Sequence, residues 1–279
     1  MHVVLKDNYT KIEIEDITDQ WKLYSEDMIN FQGLNDFIYD MQLKLNKSII
    51  GDYWPNKKDH TEKMLPINWK LALNAEAMEF IDCFNWKHWK PSATNDMSLK
   101  SYNKDYLNSI IELCDIVHFC ISMDIEEGRK SNYTLIPCVT EITSVIKELV
   151  DDVSEYRQLK NLSEALLDIA NMSVNPSQKH INKAIAIITL CQIAQREKDK
   201  ITIEDVLYSL SNLYDLMTCI YLGKLCLNKL RTAGHGRKYS KWEDNAIVAV
   251  VANSLPTTEL IGNADDVYRE MEWRIKRSL

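Results

Sequence analysis

The chain has 279 residues, 46% hydrophobic and 27% charged, the make-up of a folded globular protein able to bury a large core. A formal net charge of −8 argues against a surface built for nucleic acid or anionic lipid, which would be basic. Only seven glycines and six prolines occur, a scarcity that speaks against a glycine-rich β or dinucleotide-binding architecture and for long helices.

The N-terminal MHVVLKDNYTKIEIED lacks the apolar stretch of a signal peptide, and no run is expected to cross a membrane. Past that strap, residues 20 to 48 place Met28, Phe31, Leu34, Ile38, Met41 and Leu45 at helical spacing. GDYWPNKKDH is a polar loop, and a second helix is predicted from about Pro66 to about Phe84. After the loop KPSATNDMS, a third helix covers about Tyr102 to Ile125. Pro137 is predicted to open CVTEITSVIKELVDDVSEY, whose acids read as a solvated face. Residues 162 to 173 and 179 to 196 read as two more helices.

Thr202 looks like an N-cap with Asp205 three residues on, starting a long helix to about Arg231. TAGHGRKYS is a loop, and KWEDNAIVAVVANS begins the last substantial helix. Gly223, Gly234 and Gly236 crowd one stretch and predict unusual backbone demands there. Nothing alternates with period two over a convincing length, so the class is all-α: one multi-helix bundle, with a middle helical lobe at about 137–200. The seven cysteines form no CxxC pair and most sit in apolar helical patterns, which predicts reduced core thiols in an intracellular, cytoplasmic setting.

Chemistry concentrates in two places. In NAEAMEFIDCFNWKHWK, Glu76, Glu79 and Asp82 recur every three residues, piling like charges on one helix stripe. IIELCDIVHF repeats the device with Glu112 and Asp115 beside Ile110, Ile111, Leu113, Ile116 and Val117. Acids next to such a core need a cation or partner. If the two helices face each other, Glu76, Glu79, Glu112 and Asp115 form an oxygen-rich anionic cage suited to Mg²⁺, with Mn²⁺ as an alternative.

The bland alternative is that these acids pair with lysines or face solvent on separate surfaces of a non-catalytic scaffold. Asp115 and His118 also stand three apart, as in di-iron carboxylate proteins, but the second such pair is missing. His118 then reads as a supporting or core histidine. The second place is YLGKLCLNKLRTAGHGRKYSKWEDN, where Lys224, Asn228 and Arg231 share a helix face ahead of Arg237, Lys238, Tyr239 and Lys241. That set suits a polyphosphate, although a helix C-terminus attracts bases anyway. No phosphate-cradling GxxxxGK[ST] loop is present.

Taken together and in order, FQGLND, NWKLALNAEAMEFIDCFNWKHWK, ELCDIVHF and KLCLNKLRTAGHGRKYSKWEDN resemble the dimeric dUTPases. These belong to the all-α nucleoside triphosphate pyrophosphatases, as do the MazG-type enzymes. The resemblance implies Mg²⁺ ligation by Glu76, Glu79, Glu112 and Asp115, with Glu76 as general base. It implies that Gln32 and Asn35 read the uracil and deoxyribose end, and that Asn228 contacts the nucleoside. Lys224, Arg231, Tyr239 and Lys241 would hold phosphates. The implied reaction takes dUTP or dUDP to dUMP in a homodimer, with no nucleic-acid or membrane partner.

The family's WKWWK-like cluster is WKHWK here, putting His88 where an aromatic wall would touch the nucleotide. The late loop GHGRKY also departs from the family's GYKxGxY. Asp82 is expected to support the metal acids or to sit on the surface, and Trp86 and Trp89 to pack beneath the metal helices. A phage-type enzyme acting on dCTP as well as dUTP, or one with MazG-like breadth, would share the same cage.

Overall fold

A computed structural model describes residues 33–56, 60–61, 64–90, 99–100, 102–130, 132–135, 138–150, 155–196, 202–234, 241–253 and 264–278. Among these there are nine helices and no strand. They are α1 (Leu34–Ile50), α2 (Trp69–Ile81), α3 (Tyr102–Glu126), α4 (Val139–Val150), α5 (Glu155–Ala170), α6 (Gln178–Ala194), α7 (Ile203–Thr232), α8 (Lys241–Asn253) and α9 (Ala264–Ser278).

The helix starts follow capping chemistry. Asn68, not Pro66, sets the start of α2: its side-chain oxygen accepts the Leu71 N–H at 2.9 Å. Pro66 instead pairs with His60 in an isolated bridge. At the head of α7, Asp205 N–H donates to Thr202 Oγ1 at 3.2 Å and Thr202 N–H donates to Asp205 Oδ2 at 3.1 Å. This reciprocal box satisfies two donors that the first turn leaves without intrahelical acceptors. Of the helix expected from Pro137 to Tyr156, Val139–Val150 is helical, Glu155 opens α5, and residues 151–154 lie outside the described residues. Pro137 and residues 20 to 32 lie outside the described residues.

The helices fall into two compact units. The first takes Asn74–Leu113 and Ile136–Tyr214, the second Asp27–Leu73, Cys114–Leu135 and Asp215–Leu279. Within the first, α4, α5 and α6 pack on one another. Helix α4 presents Val139, Ile142, Ile146 and Leu149 on one stripe, while α6 is buried nearly all round. Asn182 of α6 donates to Glu141 of α4 at 2.6 Å, tying the pair at a polar point.

Within the second unit, α9 packs on α8 and α1. The sequence reading stopped at α8, yet Val267, Tyr268, Met271 and Ile275 give α9 a fully buried face. Gly223 explains how α9 gets so close to α7: a Cβ there would meet Met271 Cε at 2.5 Å and Val248 Cγ1 at 3.1 Å. Its demand is therefore packing rather than backbone conformation. Gly234, with φ +75°, is a left-handed helix terminator, and Gly236 lies outside the described residues.

One stretch corrects the reading that no run could span a membrane. Lys104–Glu126 of α3 is long and apolar enough by composition, but 72% of its most apolar 18-residue window is buried inside the protein. Its apolar face serves as core. No disulfide joins any of the seven cysteines; six are buried and Cys138 is exposed. Burial pushes Cys83, Cys219 and Cys226 up to about 12, so these thiols stay protonated and inert.

Candidate active site

Helix α2 carries its acids from Leu73 onward on the turn after a buried apolar anchor, so one edge of the stripe turns inward. Glu76 is half-buried and Glu79, the next residue of the stripe, is exposed. In the first unit, Glu76 and Glu112 each offer a carboxylate oxygen within 4.8 Å of the other. Glu112 itself is 1% exposed. Asp115 follows Glu112 three residues later on α3, at the start of the second unit. Glu79 does not join this cluster.

Asp82 lies off the end of α2. Lys87 pairs with it at 2.7 Å and Trp86 Nε1 donates to it at 3.0 Å. Partial burial works to raise its pKa, but these two contacts outweigh that and hold it below the usual carboxylate range. Asp82 is a surface acid with a local partner. Trp86 and Trp89 meet edge-to-face at 5.3 Å, and His88 stands against Trp89 at 5.1 Å. Trp89 is 60% exposed, so the expectation that it packs beneath the metal helices is wrong. The reason is the short turn after Ile81, which carries the cluster off the helix. His88 is exposed within this small aromatic group.

The second unit builds a polar chain around Asp115. Lys224 Nζ sits 2.7 Å from Asp115 Oδ2, and His118 Nδ1 lies 3.4 Å from Oδ1. A carboxylate only accepts, so Nδ1 carries the proton of a neutral imidazole. Burial lowers the His118 pKa more than Asp115 raises it. Burial also works to raise Asp115, but the Lys224 ammonium and the His118 bond prevail and hold it below its ordinary value.

The scaffold behind this pair comes from three helices. The His118 ring rests on Tyr221 at 3.9 Å between centroids. Tyr221 donates to Gln42 Oε1 at 3.3 Å, Asn46 donates to Ser122 Oγ at 2.9 Å, and Ser122 donates to His118 O at 2.8 Å. Gln42, Asn46, Ser122 and Tyr221 are all buried. Buried hydrogen-bonded chains of this kind fix side-chain positions.

The same face of α7 carries Lys224, Asn228 and Arg231. Lys224 also donates to Asn245 Oδ1 at 3.4 Å, and Arg231 donates to Asn228 Oδ1 at 3.4 Å. Burial depresses Arg231, with the Asp115 charge working against it. Asn35 is exposed at the start of α1 and accepts from Thr134 at 2.9 Å. Gln32 and Tyr239 lie outside the described residues, and Lys241 heads α8 with its side chain undescribed. Sequence reading held Asn245 in the late motif without giving it a role, and missed Gln42 and Tyr221 as supports. Only the buried register of α1, with Gln42 and Asn46 four apart in an apolar stripe, could have signalled them.

Glu76 and Glu112 are oxygen donors of one charge on two helices of the first unit, a donor type that fits a hard divalent cation. A family model described as dUTPase matches residues 36–209, more than half of the chain. The chain belongs to this dUTPase family, and its activity is that of a dUTP diphosphatase. No curated protein matches. The matched span contains Glu76, Glu79, His88, Glu112 and Asp115, and stops short of Lys224.

Proposed function

We propose that the chain hydrolyses dUTP, and dUDP, to dUMP with release of pyrophosphate or phosphate, in a Mg²⁺-dependent reaction in which Mn²⁺ can serve. The observation that carries this reading is the convergence of the Glu76 and Glu112 carboxylates, with Asp115 on the next turn of α3. Glu76, Glu112 and Asp115 would hold the metal, and Glu79 is counted with them on the family resemblance alone, since it lies outside that cluster. When bound, Mg²⁺ supplies charge neutralisation at the phosphates and acidifies a water.

Glu76 takes the proton of the attacking water, whose oxygen forms the new bond to the α-phosphorus. The bond between that phosphorus and the bridging oxygen breaks, and pyrophosphate leaves with the electron pair. Lys224 and Arg231 donate to phosphate oxygens, with Tyr239 and Lys241 as further phosphate contacts. Arginine suits this grip because its planar fork engages two oxygens at once. Asn228 faces the nucleoside, Gln32 and Asn35 address its uracil and sugar, and His88 borders the nucleotide.

A homodimer in the cytoplasm is the assembly and setting we infer, supported by the family resemblance and by thiols left out of disulfides. The test is Glu76→Gln, which keeps size and removes the base. We expect kcat for dUTP to fall about 10²–10⁴-fold with an unchanged helical circular-dichroism spectrum. A folded variant with near-normal turnover would remove Glu76 from the mechanism.

A further inference from the structure

We propose that the Lys224 ammonium is the resident counter-cation of Asp115, and that a divalent cation binding there displaces it toward the substrate phosphates. This rests on the reading of Asp115 as a metal ligand. Both groups belong to the second unit, where Lys224 Nζ holds Asp115 Oδ2 at 2.7 Å. The other oxygen faces His118 Nδ1 at 3.4 Å, so each Asp115 oxygen already has a partner from this chain. Their side chains are only 12% and 14% exposed, so water screens the pair weakly.

The two partners differ in freedom. Asp115 is short, sits mid-helix and is braced by His118, which Tyr221 and Ser122 hold in turn. Lys224 swings on a four-carbon stem, and its second contact, Asn245 Oδ1 at 3.4 Å, is long. A dication at Asp115 repels the ammonium and takes over its carboxylate, so lysine is the partner that moves. Asn228 and Arg231, one and two turns on along the same face of α7, mark where a released Lys224 would find further phosphate-binding groups. Metal loading and phosphate gripping then become one coupled event, and by linkage each tightens the other.

The test is Mn²⁺ binding to the full-length protein without nucleotide, read by electron paramagnetic resonance, for wild type and Lys224→Met. Removing the competing ammonium should tighten Mn²⁺ binding by about tenfold or more. Unchanged or weaker binding by the variant overturns the displacement. Should Lys224→Met fail to fold, wild type answers instead, through acetylation of Lys224 mapped by mass spectrometry with and without Mn²⁺. Faster acetylation with Mn²⁺ supports release, and an unchanged rate overturns it. If wild type binds no Mn²⁺ with or without dUTP, the metal-site reading itself fails, a result distinct from intact binding that Lys224 does not influence.

Discussion

Asp215 shows how a single residue can cost stability for reasons of solvation alone. Near the middle of α7, burial pushes its carboxyl from 3.8 up to about 6, and one of its oxygens is buried with no hydrogen-bond partner among the described residues. Folding therefore favours the protonated acid. That contribution is fully present below pH 3.8 and is lost as pH rises through about 6. Asp215→Asn should raise stability at pH 8 by roughly 1–2 kcal/mol after allowing for partial solvent screening, and change nothing at pH 3.5. Thermal melts at the two pH values measure this, and an equal effect at both would count against it. Arg231 makes a different kind of residue-scale prediction. Arg231→Ala should raise KM for dUTP about tenfold or more with little change in helicity, and an unchanged KM would remove it from the phosphate grip.

At the scale of elements, the capping box of α7 offers a clean measurement. Thr202→Ala removes the Oγ1 acceptor for Asp205 N–H and should cost about 1 kcal/mol in urea unfolding, whereas Thr202→Ser should cost far less. This box was legible in the sequence because its chemistry is local. The same holds for α3, whose ends the apolar run marked closely. Helix α2 was misjudged at its start because proline suits a first turn, but the Asn68 side chain competed and won. Helix α9 went unread because ADDVYREMEWRIKRS is highly charged; its four buried residues mean little until α7 and α8 are there to receive them. The exposure of Trp89 was equally hidden, since a turn decides it rather than residue type.

For the whole molecule, the all-α class followed from glycine and proline scarcity, and the acids from their three-residue spacing on two apolar helices. What spacing could not supply was which acid converges with which. Glu76 and Glu112 do so, while Glu79 is exposed and Asp82 pairs with Lys87. Nor could it supply the brace behind Asp115, which draws on Gln42, Asn46, Ser122 and Tyr221 across large sequence separations. The most direct measurement is dUTP turnover with Mg²⁺, with the Mg²⁺ removed by chelator, and with it restored, the products being resolved by chromatography. We predict dUMP and pyrophosphate in the first and third conditions and a loss of at least about 10²-fold in the second. Turnover that persists in chelator would contradict the carboxylate metal site on which the mechanism depends.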